Sequence, residues 1–151
     1  MILHLKPLIG INDLTFGALP TEIIKQFGEP EEIEELNDEL LDDHVLVYHY
    51  WESGISFFFS TQRNNIFSSI ETDNKNATLF GEKIFELSEN DVITVFKKNN
   101  ISVSEKEQHE WGEKRISFDA INMDMYFTNG KLNSINYGIN EIDPSFPYHP
   151  N

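Results

Sequence analysis

The sequence predicts an α+β fold of two repeated units, each a short helix or helix pair packed on an antiparallel sheet. Three observations carry this. Two short segments have the apolar spacing of one buried helix face. The segments around them alternate apolar and polar residues with period two. The same order of features then occurs twice in 151 residues, at offsets of 66 to 71.

In the first half, residues 20–27 start on Pro20 and stop at Gly28, with Pro30 beyond, and Ile23, Ile24 and Phe27 form one stripe. Residues 29–43 follow, with nine acids and no base. Ile33, Leu36 and Leu40 recur there at +3 and +4, which predicts a short amphipathic helix or helical loop despite crowded like charges. Residues 45–51 are rich in β-branched and aromatic side chains and read as a strand. Ser53-Gly54 marks a turn. Ile55, Phe57 and Phe59 then share one face of a second strand, and 66–71 supplies a third.

In the second half, Ser88 is the expected N-cap of a helix, with Asp91 at the capping-box position. Val92, Ile93 and Phe96 repeat the buried stripe, and Lys97-Lys98 suit the negative helix end. Ile121, Met123, Met125 and Phe127 alternate with Asn122, Asp124, Tyr126 and Thr128. A tight Asn129-Gly130 turn would set Asp124 beside Ile135. A three-residue loop, Thr128-Asn129-Gly130 with Gly130 left-handed, is therefore expected, pairing Met123 with Ile135 and Ile121 with Tyr137.

The repeat aligns Ile23, Ile24 and Phe27 with Val92, Ile93 and Phe96, and Leu8-Ile9-Gly10 with Leu79-Phe80-Gly81. Ile55, Phe57 and Phe59 align with Ile121, Met123 and Met125. This divides the chain into a first unit at 1–75 carrying the acidic insert 29–43, a second unit at 76–140, and an extended tail at 141–151 with three prolines.

Charge then narrows function. Twenty-six acids against eleven bases give a net charge of -15, which opposes binding to nucleic acid or an anionic membrane and favours a basic protein partner. The chain has no cysteine, which excludes disulfides, thiolate nucleophiles and Cys-ligated zinc. No apolar run is long enough for a membrane span and the start lacks a basic leader, so a cytoplasmic location is expected. There is no Gly-x-Ser-x-Gly, no phosphate loop and no calcium-loop spacing, and the five histidines are scattered. No catalytic residue, metal or cofactor is assigned.

The stretch 11–30, with Gly17, Glu22, Ile23, Phe27, Gly28 and Pro30, resembles the opening shared by the β-lactamase-inhibitor-protein fold and the small outer-membrane assembly lipoproteins. The order of helix and antiparallel strands, repeated over about 130 residues, is similar to tandem β-lactamase-inhibitor-like repeats. The lipid-attachment cysteine, the disulfides of the secreted inhibitor and a Gly-x-Pro after the second helix are absent. The resemblance implies a binding module presenting a sheet to a protein partner, and by analogy a bacterial immunity-type protein. The resulting expectation is a non-enzymatic, immunity- or inhibitor-like module that engages a basic partner, a toxin among the candidates. Its contacts would be Glu31, Glu32, Glu34, Glu35, Asp38, Glu39, Asp42 and Asp43, with Tyr48, Tyr50, Phe58 and Tyr126 on an aromatic sheet face. That face is either exposed for contact or covered as further core. The alternative is a small-ligand or enzymatic pocket between the units, using His49, Trp51, His109 or Trp111. A monomer or weak homodimer is expected.

Overall fold

The computed structural model describes residues 1–38, 43–61 and 64–139. The N-terminal segments form short strands: β1 (His4–Lys6), β2 (Gly10–Ile11) and β3 (Leu14–Thr15). Helix α1 (Pro20–Phe27) follows, then β4 (Glu32–Asp38), β5 (Asp43–Tyr50), β6 (Ile55–Ser60) and β7 (Ile66–Thr72). The second half repeats this order with the hairpin β8 (Thr78–Leu79) and β9 (Glu82–Lys83), α2 (Glu89–Lys98), β10 (Glu105–Gln108), β11 (Glu113–Phe118), β12 (Met123–Thr128) and β13 (Lys131–Gly138).

The long strands make one eight-stranded sheet in the order β10-β11-β12-β13-β7-β6-β5-β4, antiparallel throughout. Each half is thus a four-stranded meander, and the halves join where β7 pairs with β13, Tyr137 opposite Ile70. The short strands form a second sheet, β3-β2-β1-β8-β9, whose central β1–β8 pair is parallel, with Leu5 opposite Leu79. The fold is α+β, with each helix packed against an antiparallel sheet.

Local sequence explains the helices. Pro20 opens α1 and the Glu22 carboxylate accepts from the Leu19 amide at 2.8 Å. Gly28 ends it at φ +81°, a left-handed cap that a side chain would strain. In α2 the Ser88 hydroxyl accepts from the Asp91 amide at 3.2 Å. Both stripes pack on one face of the large sheet. Phe27 meets Phe57 at 5.0 Å between ring centroids, and Phe96 meets Phe118 at 4.1 Å. The small sheet covers the seam between the halves: Phe16 packs on Phe67, and the buried Tyr137 hydroxyl donates to the Gly10 carbonyl at 2.7 Å. Burial pushes that phenol well above the ordinary tyrosine range.

Several expectations are corrected. The described part of the acidic segment is not helical: Glu32–Asp38 is the edge strand β4, and Asp43 already belongs to β5. A helix would stack Glu31, Glu34, Glu35 and Asp38 on neighbouring turns, where like charges repel. A strand sends alternate carboxylates to opposite faces and lets Ile33 lie opposite Tyr48 and Leu36 opposite Val45. Glu39 and Asp42 lie outside the described residues, as does the tail at 141–151.

Tyr48 and Tyr50 do not share an exposed face with Phe58 and Tyr126; both are buried in the core. The register sets Tyr48 opposite Phe57 and Tyr50 opposite Ile55, which turns them toward α1. The Tyr50 hydroxyl donates to the Gly28 carbonyl at 2.8 Å, so its buried polar end is satisfied. Its pKa is pushed up to about 12 by burial, with smaller contributions from Tyr48 and Glu29.

The β12–β13 hairpin is also tighter than expected. Thr128 pairs with Lys131 across a two-residue Asn129-Gly130 turn, and the register shifts between Tyr126 and Phe127. Met125 therefore meets Ile135 and Met123 meets Tyr137, two residues from the expected pairing but on the expected face. Finally, Leu79-Phe80-Gly81 matches Ile11-Asn12-Asp13 rather than Leu8-Ile9-Gly10, because those are the residues that enter the β8–β9 and β2–β3 turns.

Candidate partner-binding face

Alternation along the strands leaves the other face of the large sheet without helices. Pairing registers place Glu32 and Glu34 of β4 there, beside Val47 and His49 of β5, Ser56 and Phe58 of β6, and Glu71 of β7. The second half contributes Glu105 and Glu107, Arg115 and Ser117, Asp124 and Tyr126, and Asn136. The β6–β7 and β12–β13 pairs carry the same register shift, at Phe58/Phe59 and at Tyr126/Phe127. Superposing these shifts makes the halves comparable position by position. Glu32 and Glu34 then correspond to Glu105 and Glu107, Val47 to Arg115, His49 to Ser117, and Ser56 to Asp124.

In the second half the acids are neutralised from within. Arg115 donates to Glu105 at 3.0 Å and to Glu107 at 2.9 Å, and lies 3.7 Å from Asp124. The hydrogen bond from Arg115 holds the Glu107 carboxyl below the usual carboxylate range, and the bond to Glu107 in turn raises the Arg115 guanidinium. Tyr126 is raised mainly by burial and then by Asp124.

In the first half Val47 stands where Arg115 does, so Glu32 and Glu34 meet no arginine or lysine from β5. They bond to aromatic side chains instead. Trp51 Nε1 donates to Glu32 at 3.2 Å, and His49 Nε2 lies 2.9 Å from Glu34. The other ring nitrogen of His49 is 2.7 Å from the Ser56 hydroxyl. The imidazole is thereby fixed flat against the indole of Trp51, at 4.2 Å and 9°. Trp51 remains 57% exposed. The same loop is closed by the Gly54 amide bonding the Trp51 carbonyl, with Gly54 at φ +66°. Beside this stack is a cavity of about 230 Å³, walled by Trp51, His49, Ser56, Glu71, Asp73 and Ser134 among others.

Sequence reasoning gave this place a secondary role and overlooked a signal that marks it. His-x-Trp occurs twice, at 49–51 and at 109–111. His109 also stacks on its tryptophan, at 4.3 Å and 5°, with Glu107 at 3.2 Å. The two stacks do not converge. They lie at opposite sides of the sheet, five strand spacings or about 24 Å apart. Among the residues expected to bind a partner, Glu31, Glu32, Glu34 and Glu35 are exposed, and Phe58 and Tyr126 are half-buried on the open face. Asp38 and Asp43 are register partners at the far end of the β4–β5 ladder. Glu31 accepts from the Glu52 amide at 3.1 Å and so ties the start of β4 to the turn after Trp51.

Among the described residues no group of histidines and carboxylates could hold a metal ion, and no helix is long and apolar enough to cross a membrane. No family model matches the chain, and no curated protein matches it. It is similar to a solved structure of a DUF4309 family protein (YjgB) from Bacillus subtilis, at 15% identity over 84% of this chain and 82% of that one, with a TM-score of 0.48.

Proposed function

We propose that the chain is a non-enzymatic protein-binding module, immunity- or inhibitor-like, that engages a basic partner through the open face of its first half. The observation that carries this is the contrast at equivalent edge positions. Glu105 and Glu107 are answered by Arg115, whereas Glu34, opposite Val47, bonds His49 and Glu32, opposite His49, bonds the exposed Trp51, so neither meets an arginine or lysine among the described residues. Unneutralised acids steer a basic partner toward the face, and a rigid indole supplies contact energy once it arrives.

The Glu34–His49–Ser56 line resembles a nucleophile relay, but the surroundings favour binding over catalysis. Ser56 is buried, and the carboxylates of Glu71 and Asp73 beside the cavity would oppose a developing oxyanion. In this setting the line serves to hold the His49–Trp51 stack in place.

The test is partner retention from the source organism at low and at moderate salt. Glu32→Gln with Glu34→Gln is expected to weaken retention at least tenfold, while Glu105→Gln with Glu107→Gln changes it less than twofold. Equal losses from the two pairs, or no retained protein with the native chain, would sink the proposal.

A further inference from the structure

We infer that the cavity beside Trp51 is a seat for a single arginine side chain of the partner, its guanidinium stacked on the indole and paired with Glu71 and Asp73. This rests on the protein-binding reading above and gives it a contact of defined chemistry.

Size comes first. At about 230 Å³ the cavity falls below the roughly 300–1,000 Å³ of pockets for drug-sized ligands, and it suits one long side chain. Charge comes second. Among the described residues no lysine or arginine lines it, and Glu71 and Asp73 are exposed and form no ion pair. Shape comes third. His49 covers one face of Trp51 and fixes its plane, yet the indole is 57% exposed, which leaves a preorganised aromatic surface for a planar cation.

The second half supplies a precedent on the same sheet face. There a guanidinium already lies among Glu105, Glu107 and Asp124, held within 3.7 Å of all three. In the first half the partner would provide in trans the kind of group that Arg115 provides in cis. Arginine is favoured over lysine because its flat fork can stack and donate to two carboxylates at once, whereas an ammonium is a compact, strongly hydrated point charge.

The chain's two tryptophans allow a direct test. Trp111→Phe leaves Trp51 as the only indole, and Trp111 is remote and 73% exposed, so the fold should be indifferent to the change. Capped tri-arginine, tri-lysine and tri-citrulline peptides are then titrated at low salt while Trp51 emission is followed. The expected result is a saturable change with tri-arginine at least fivefold tighter than with tri-lysine, and none with tri-citrulline. Glu71→Gln with Asp73→Asn should weaken tri-arginine at least tenfold with unchanged thermal unfolding, and Glu105→Gln with Glu107→Gln less than twofold. Equal binding of arginine and lysine peptides, or an unsaturable response, overturns the seat. If the titration fails while retention of the partner still depends on Glu32 and Glu34, the seat alone falls. If tri-arginine binds as expected but no partner is retained, the seat stands and the protein-binding reading falls.

Discussion

The two edges of the large sheet begin from the same chemistry and treat it in opposite ways. Each edge strand places two glutamates on the open face, Glu32 and Glu34 on β4, Glu105 and Glu107 on β10. Two open-face positions on the neighbouring strand separate them: Arg115 and Ser117 on β11 stand where Val47 and His49 stand on β5. An edge strand carries unpaired backbone groups, and charge on it discourages pairing with another chain. Both edges have that protection. The first meets no arginine or lysine among the described residues, and there an exposed indole lines a cavity with Glu71 and Asp73. The difference separates acids that hold a sheet together from acids that remain available.

The strongest challenge to this comparison is whether the halves are independent bodies. They share one core and the β7–β13 pair, so they should unfold together. Phe57→Ala removes a fully buried ring that touches Phe27, Tyr50 and Phe67 and is expected to cost about 3–5 kcal/mol. Met125, which the superposed bulges make its counterpart in place of the Met123 that the sequence repeat aligns with it, is expected to cost about 2–5 kcal/mol on truncation to alanine. Urea unfolding followed through Trp51 alone and through Trp111 alone should give one midpoint for each variant. Two separated midpoints would make the halves separate domains.

The seam offers the next probe. A Cβ on Gly138 would fall 2.6 Å from both the Ser68 carbonyl and Ser69 Cβ, across the strand pair that joins the halves. Backbone cannot move away as a long side chain can. Gly138→Ala is therefore expected to cost about 1–3 kcal/mol by overpacking, read as a lowered urea midpoint with an unchanged slope. A neutral result would mean that the seam is looser than its register implies.

Arg115 tests the compensated edge. Glu107 titrates below its ordinary range because Arg115 bonds to it, so the folded state binds that proton less readily than the unfolded chain. The stabilisation is complete above the ordinary glutamate range and is lost as pH falls through the lowered folded value. Arg115→Met should lower the urea midpoint modestly at neutral pH and flatten its decline on acidification. An unchanged acid limb would show that the Arg115 contacts contribute nothing in solution, as exposed ion pairs often do.

Much of the fold was legible because it rests on local pattern. The stripes Ile23-Ile24-Phe27 and Val92-Ile93-Phe96, the caps at Gly28 and Ser88, and the alternation of Ile55, Phe57 and Phe59 all depend on neighbours in sequence. The acidic strand was not legible, because Ile33, Leu36 and Leu40 mimic helical spacing and only the ladder to β5 decides the matter. The face of Tyr48 and Tyr50 required the β5–β6 register, which no single strand contains. The candidate site was half visible. The acids and tryptophans stood out in the sequence, but the substitution of Val47 for Arg115 acquires meaning only once the two bulges align the halves.

The smallest expected effect is the most discriminating. Glutamates retained for structure should cost stability when neutralised, and glutamates retained for a partner should not. Gln at 32 and 34 keeps an acceptor for Trp51 and His49 and removes like charges from a strongly acidic edge. Glu32→Gln with Glu34→Gln is therefore expected to change stability by no more than about 0.5 kcal/mol, toward greater stability at low salt. A loss above about 1 kcal/mol would place these acids in the sheet's own support and leave the two edges alike. Unchanged stability together with lost retention would mean that the first edge keeps its charge for something outside the chain.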